Sequence, residues 1–242
     1  MAAGVVVTIA TGRLGTGTWP IARDLGIAGP VICADGGFLL DAVTGAVIES
    51  TPLPLATVDA ALRTLAEHGL TPFVFMHDVI HGEEIGRHHH RLVTTWSRNI
   101  TLHPLLAAAQ EWRRHGEVAQ ALGIGDRLRV EAARAALESR HRETLTLAHF
   151  GMGSMETWAV RGQPAGCNKG IALQRLAARL GIEQTDVAAI GDWLNDVPML
   201  EWAAASFAMG QAPEAVRAVS RHTLTATSVT GGGVAEAIDR WL

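Results

Sequence analysis

The chain has 242 residues, of which 48% are hydrophobic and 18% are charged, a composition that excludes a disordered or highly charged tail protein. Its formal net charge is −4, whereas a nucleic-acid-binding domain usually carries a basic excess, so we expect no nucleic-acid partner. No apolar run approaches the roughly 18 residues that span a bilayer, so we expect no membrane partner. The two cysteines are far apart in sequence and form no disulfide framework, so we expect a cytoplasmic protein.

Strand-like and helix-like segments alternate over the first 51 residues. The β-branched run at residues 5–10 predicts a strand buried on both faces, and it ends in a Thr-Gly-Arg turn. A helix over 19–25 and a short strand over 31–33 follow. A Thr-Gly pair predicts a hairpin between two short strands over 41–48.

The middle of the chain has a different character, and we predict an inserted α+β cap domain over residues 52–160. Residues 78–96 of this segment are polar and rich in histidine. The predicted helices of the cap are 55–68, 105–114 and 131–138, and its predicted strands are 72–76, 127–130 and 144–148.

Strand–helix alternation returns after the cap. The predicted helices are 170–180, a helix from about 197, 213–219 and 234–242, and the predicted strands are 187–190 and 206–209. We therefore predict that residues 1–51 and 161–242 form one Rossmann-like α/β core, interrupted by the cap.

Three polar loops in this core carry side chains suited to a phosphate ligand. In open α/β sheets, ligands bind where strands end and helices begin. Thr11 offers a hydroxyl and Gly12 an unobstructed backbone N–H, Lys169 offers a positive charge, and Asn195 offers an amide. Asp192 is a hard oxygen ligand suited to Mg²⁺. A phosphate monoester carries a charge of about −1.5 to −2, which a lysine and a divalent cation would balance.

Simpler interpretations exist for some of these residues. A Thr-Gly-Arg turn after a strand is common, and Asn168 before a helix is typical of an N-cap. Histidines within residues 77–90 would bind Zn²⁺ if they shared one helix face, but the preceding apolar run favours a solvated or substrate-facing loop. Cys33 is predicted to be a small buried side chain, and Cys167 has no neighbour in sequence that would activate it.

Seven stretches match a known family in order and spacing. They are IATGR at 9–13, VICADGG at 31–37, DAVTGAVI at 41–48, NKGIALQRLAARLGI at 168–182, VAAIGDWLNDVPMLEWA at 187–203, AMGQAPEAVRA at 208–218 and GGGVAEAIDRWL at 231–242. Together they resemble the haloacid dehalogenase superfamily, and specifically its Cof-type phosphatases with a large α/β cap. The resemblance implies an Mg²⁺-dependent phosphatase acting on a small phosphorylated metabolite such as a sugar phosphate.

The resemblance also implies a role for individual residues. It implies phosphate binding by Thr11, Gly12, Lys169 and Asn195, catalytic roles for Lys169 and Asp192, and a magnesium site formed by Asp192 with support from Asp196. In this family the cap supplies substrate specificity.

Two departures from the family pattern affect the site. The family's aspartate nucleophile and its general acid lie in an Asp-x-Asp-Gly-Thr loop, and no such run occurs in these 242 residues. Three explanations stay open: a longer natural chain that carries the loop, a non-catalytic protein that binds a phosphorylated ligand or a protein partner, or a homodimer or complementing chain that supplies the missing strand. In addition, Asp35 stands where the family usually has asparagine, and its charge is unfavourable beside a phosphate unless it faces away or meets the metal.

Overall fold

The computed structural model describes residues 4–242, with the backbone alone at positions 115, 154 and 155. It has a mixed α/β architecture, as the sequence predicts. The α-helices are α1 (Gly15–Asp24), α2 (Leu55–Glu67), α3 (His90–Val93), α4 (Glu111–His115), α5 (Arg127–His141), α6 (Lys169–Leu180), α7 (Val197–Trp202), α8 (Glu214–Val219) and α9 (Gly233–Trp241). The strands are β1 (Pro30–Cys33), β2 (Phe38–Asp41), β3 (Val47–Ser50), β4 (Thr71–Phe75), β5 (Ile80–Glu83), β6 (Ile100–His103), β7 (Gln120–Gly125), β8 (Leu145–Met152), β9 (Ser154–Pro164), β10 (Ala188–Gly191), β11 (Ala205–Ala208) and β12 (His222–Thr223).

The chain divides into two compact units, Met1–Cys167 and Asn168–Leu242. The first unit holds a six-stranded sheet in the order β6-β5-β4-β7-β9-β8 and an antiparallel three-stranded sheet in the order β1-β2-β3. The second unit holds a parallel sheet in the order β10-β11-β12. The predicted division into a core of 1–51 with 161–242 and a cap of 52–160 stays a prediction.

Both faces of the six-stranded sheet are covered within the first unit. Alternate residues of a strand point to opposite faces, so Val74 and Phe73 of β4 belong to different cores. Val74 packs with apolar side chains of α2 and α5 in one cluster. Phe73 packs in a second cluster that includes Phe38 of β2 and Leu14, just before α1. The second cluster therefore ties the six-stranded sheet to the N-terminal 50 residues.

Residues 5–10 do not form the predicted strand of a sheet. A single parallel bridge joins Ala10 to Ile32 of β1, supported by a hydrogen bond from Ile32 N to Ile9 O at 2.8 Å. Val6 and Val7 are exposed, so this part of the chain is not buried on both faces. A β-branched run specifies an extended backbone, but only neighbouring strands can cover its faces.

The predicted strand at 127–130 is wrong, because these residues form the first turn of α5. The Asp126 carboxylate accepts a hydrogen bond from Arg129 N at 3.0 Å and caps the helix. The strand that precedes α5 is β7, which ends at Gly125, and there a glutamine and two glycines interrupt the apolar pattern. The strands β5, β6, β9 and β12 were not predicted either.

The histidine-rich segment is not a solvated loop throughout. His81 lies on β5 and His103 on β6, and both side chains are buried. His81 Nδ1 and His103 Nε2 are 2.9 Å apart and share a hydrogen bond. Among the side chains that the structure describes, no group of three or more His, Cys, Asp or Glu is placed to hold a metal ion.

The second unit is built on close backbone packing between α6 and α7. Gly170, in the first turn of α6, faces the Pro198 carbonyl so closely that a Cβ would lie 2.4 Å from its oxygen. Phe207 of β11 packs with Leu224 and with Ala237 of α9. Within the part of the chain that the structure describes, no helix has the length and apolar character needed to cross a bilayer.

We expect Asp126→Ala to lower the free energy of unfolding by about 1 kcal/mol, because the first turn of α5 loses its cap. Asp126→Asn retains a side-chain oxygen at the N-cap and is expected to be close to the unmodified chain. Urea denaturation measures both variants. An equal loss for both would instead assign the effect to the Arg129–Asp126 ion pair.

Candidate functional site

The first polar loop, Thr11 to Arg13, is held between β1 and the turn that follows it. Thr11 N donates to Ile32 O at 2.9 Å, which continues the pairing of residues 9–10 with β1. Asp35 N donates to Thr11 O at 3.0 Å, and Ala34 N donates to Arg13 O at 2.9 Å. These bonds fix the backbone on both sides of Gly12.

Two donors of this loop remain available to a ligand. Among the described residues, neither Gly12 N–H nor the Thr11 hydroxyl proton has a hydrogen-bond acceptor, and Thr11 Oγ1 accepts from Arg13 N at 3.2 Å. Both residues are half-buried, so each keeps part of its surface open to solvent. Paired donors of this kind suit the oxygens of an anion.

Asp35 lies directly behind Gly12. A Cβ on Gly12 would be 2.9 Å from Asp35 Oδ2, so only glycine fits at position 12 without displacing this carboxylate. Asp35 is 2% exposed, and its Oδ2 lies 2.5 Å from Nη1 of Arg161, which is also buried. The buried carboxylate that the sequence flags as unfavourable is therefore compensated by a guanidinium group.

The second polar loop begins α6. Asn168 Oδ1 accepts from Ile171 N at 2.9 Å, so this residue is the N-cap, as its simpler interpretation predicts. Lys169 follows in the first turn and is 6% exposed. Its Nζ lies 2.6 Å from Asp196 Oδ1, which compensates the buried ammonium charge.

The third polar loop follows the carboxyl end of β10 and turns around Asp196. Asp196 Oδ2 accepts from the backbone amides of Asp192 at 2.9 Å and Trp193 at 3.0 Å. Gly191 allows this turn, because a Cβ there would lie 2.6 Å from Asp196 Cβ. Asp196 thus uses both carboxylate oxygens to hold the loop and Lys169.

Asp192 is the exposed carboxylate of this loop, and Asn195 is half-buried. Asp192 Oδ2 accepts from Gln211 Nε2 at 3.1 Å, and Gln211 Oε1 accepts from Ser228 N at 3.0 Å. In the same part of the chain, Glu236 accepts from Thr225 N and Ala226 N. The C-terminal loop is therefore anchored by α9 and supports Asp192 through Gln211.

A magnesium ion would find one suitable carboxylate in this loop. Mg²⁺ is usually bound through one or two carboxylates together with waters and substrate phosphates, and Asp192 meets that requirement. Asp196 supports the loop rather than offering an uncommitted oxygen, since its two oxygens already accept hydrogen bonds.

Sequence reasoning missed Arg161 and Gln120, which contact the turn after β1. Gln120 lies in the predicted cap and Arg161 at the start of the second predicted core segment, and no local pattern marks either residue. Cys33 is buried, as predicted, and burial raises the pKa of its thiol to about 12. Cys167 is also buried.

Comparison with known proteins gives a consistent result. The model of the haloacid dehalogenase-like hydrolase family matches residues 1–238. Pyridoxal phosphate phosphatase YbhA of Escherichia coli K12 is 27% identical over 226 residues, which cover 89% of this chain and 79% of YbhA. Phosphoglycolate phosphatase of Methanothrix thermoacetophila is 36% identical over 102 residues, which are 42% of this chain and 44% of that protein, so this match spans less than half of each.

Solved structures show the same fold. A haloacid dehalogenase-like hydrolase from Bacteroides thetaiotaomicron aligns with a TM-score of 0.80 and 22% identity over 100% of this chain and 88% of its own. A haloacid dehalogenase-like hydrolase from Bacillus subtilis aligns with a TM-score of 0.78 and 23% identity over 100% of this chain and 89% of its own. At these identities the likeness establishes the fold alone.

We expect Asp196→Ala to lower the free energy of unfolding by about 3–5 kcal/mol, because it leaves the Lys169 ammonium buried without this partner. The matched control is Glu67→Ala, which removes one side of the exposed Arg140–Glu67 pair and is expected to cost far less. Guanidinium denaturation compares the two variants. Equal losses would show that the buried pair does not stabilise the second unit.

The Glu236 anchor predicts a stability that depends on pH. Hydrogen bonds from the Thr225 and Ala226 amides hold the pKa of Glu236 below its ordinary value of 4.5. The anchor therefore stabilises the fold fully above the unfolded pKa and is lost as the pH falls through the lower, folded pKa. In Glu236→Gln we expect a smaller decrease in Tm between about pH 6 and about pH 3. Circular dichroism measures the Tm values. An equal decrease in Tm for Glu236→Gln and for the unmodified chain would contradict this role.

Proposed function

The chain belongs to the family of haloacid dehalogenase-like hydrolases, and from this premise we propose that it is a Mg²⁺-dependent phosphatase of a small phosphorylated metabolite, such as a sugar phosphate. The family match confirms the resemblance that the sequence motifs predict. The observation that carries the phosphate part of the proposal is the loop at Thr11 and Gly12, where two oriented donors have no acceptor among the described residues.

In this proposal, Thr11 and Gly12 bind the phosphate oxygens through the hydroxyl and the backbone N–H. Asn195 donates a further hydrogen bond from its amide. Lys169 neutralises the phosphate charge and orients the reacting group, and its buried position beside Asp196 restricts the directions that the ammonium group can take. Charge-assisted hydrogen bonds of this kind are about twice as strong as neutral ones.

Asp192 would hold the magnesium ion, with Asp196 keeping the loop in place beneath it. When bound, Mg²⁺ would neutralise part of the charge on the phosphoryl group. Gln211 fixes the Asp192 carboxylate from one side through its hydrogen bond to Oδ2. A carboxylate whose direction is set in advance costs less to order when a cation binds.

The names of the relatives support a small phosphorylated substrate. Relatives include phosphatases named for pyridoxal phosphate, for phosphoglycolate and for 5-amino-6-(5-phospho-D-ribitylamino)uracil. These molecules share a phosphate monoester on a small organic group and differ in everything else. We therefore propose the phosphate monoester as the recognised feature.

A second candidate function is binding without turnover. The 242 residues contain no Asp-x-Asp-Gly-Thr run, so the carboxylates that would act as nucleophile and general acid are not present in this sequence. The Thr11 and Gly12 donors would still bind a phosphorylated ligand. In this case the protein would act as a phosphate-ligand-binding or scaffold protein.

A complementing strand would reconcile the two candidates. Residues 5–10 make one bridge-type pairing among the described residues, from Ala10 to Ile32 of β1, and Val6 and Val7 are exposed. An extended segment with open backbone groups can accept a further strand. We propose that a second copy or a separate chain adds that strand, and of the two only a separate chain can supply the missing carboxylates. Sedimentation velocity would detect the resulting increase in mass.

The test is phosphate release from a panel of phosphorylated metabolites, with and without Mg²⁺. We expect Mg²⁺-stimulated release, and we expect Asp192→Ala to lower it by about a hundredfold or more, because the proposed metal ligand is lost. Asp186→Ala is the matched control, since this carboxylate is exposed and lies outside the three polar loops.

Each outcome of this assay separates the candidates. Activity that survives Asp192→Ala would refute the proposed metal site. Phosphate binding without any release, with or without Mg²⁺, would favour the binding function over the phosphatase. A release that appears only when a second chain is added would support the complementing strand.

A further inference from the structure

The turn after β1 has an unusual backbone. Ala34 and Asp35 have φ values of 50° and 53°, in the left-handed region, although neither is glycine. Such a conformation costs roughly 1–2 kcal/mol per residue, so the surrounding structure must hold it. This turn also holds the loop at Gly12, through hydrogen bonds from Asp35 N to Thr11 O and from Ala34 N to Arg13 O.

The side chains that hold this turn come from the six-stranded sheet. Gln120, at the start of β7, donates from Nε2 to Ala34 O at 2.9 Å. Arg161, on the neighbouring strand β9, pairs with the Asp35 carboxylate at 2.5 Å. The hydrogen bond from Gln120 fixes the backbone of the turn, and the ion pair with Arg161 compensates the charge of Asp35.

The charge matters because of where Asp35 lies. Its Oδ2 is 2.9 Å from the position that a Cβ of Gly12 would take, so the carboxylate is adjacent to the loop that offers the anion-binding donors. Without compensation, this negative charge would oppose a bound phosphate. Arg161 is 7% exposed and offers a fixed positive charge at that position. Its Nη1 makes the ion pair with Asp35 Oδ2.

We propose that Arg161 is a positioning residue for phosphate binding, which acts by neutralising Asp35 behind Gly12. This inference rests on the proposed function, because it takes the Thr11–Gly12 loop as the phosphate site. The proposal predicts that phosphate affinity changes in opposite directions when Arg161 and when Asp35 loses its charge. Loss of Arg161 leaves a negative charge beside the loop, whereas loss of the Asp35 charge leaves a positive one.

The experiment is a titration of the full chain with inorganic phosphate, followed through the Gly12 amide by ¹⁵N NMR. We expect Arg161→Gln to weaken phosphate binding by about tenfold and Asp35→Asn to strengthen it severalfold. Asparagine tolerates the left-handed backbone, so the turn is retained. The double variant is expected to bind within about threefold of the unmodified chain, since both charges are removed together.

A merely structural role predicts a different result. If the pair only held the turn in place, both single variants would weaken binding, and that outcome overturns the proposal. Equal binding by all four proteins overturns it as well. Arg140→Gln is the matched control, because it removes a guanidinium group from an exposed pair and should leave binding unchanged. If Arg161→Gln does not fold, Asp35→Asn decides alone, because only the electrostatic role predicts tighter binding.

Thr11→Ala separates this inference from the function on which it rests. Weaker binding by Thr11→Ala together with unchanged binding by Arg161→Gln and Asp35→Asn would overturn the role of Arg161 and keep the phosphate site. Unchanged binding by Thr11→Ala would overturn the phosphate site. If the unmodified chain does not bind phosphate, both fail.

Discussion

A charge removed from water must be neutralised where it lies, and this constraint shapes the polar loops of both units. In the first unit Asp35 is buried against Gly12 and is paired with Arg161. In the second unit Lys169 is buried in the first turn of α6 and is paired with Asp196. In each case the ion pair joins a loop to an element distant in sequence, so the loop geometry depends on the correct fold around it.

Two glycines leave the space that the buried carboxylates occupy. At Gly12 and Gly191 the missing Cβ makes room for the Asp35 and Asp196 carboxylates, which would otherwise be displaced. After Gly191, the amides of Asp192 and Trp193 then point toward the Asp196 carboxylate. Asp192 and Asp196 show how position decides the role of one residue type, because Asp196 is buried and organises the loop while Asp192 is exposed and can meet a ligand.

Local patterns predicted most of the elements near the loops. The strand at β1, the hairpin of β2 and β3, and the helices α2 and α6 lie close to their predicted bounds, since each has a clear periodicity or a turn signal. The errors have physical causes. The mixture of apolar and charged residues at 127–130 is compatible with a strand or a helix. In the structure Asp126 caps these residues as the first turn of a helix.

The sequence by itself determined the family, the mixed α/β class and the loop residues, including Thr11, Lys169 and Asp192, because these depend on short motifs and local periodicity. It also marked Asp35 as a charge that needs an explanation. Only the tertiary structure decided that explanation, through the contacts of Arg161 and Gln120 with the turn after β1. The physical reason is that compensation of a buried charge depends on distance in space. The sheet brings Arg161 to Asp35 although more than a hundred residues separate them in the chain.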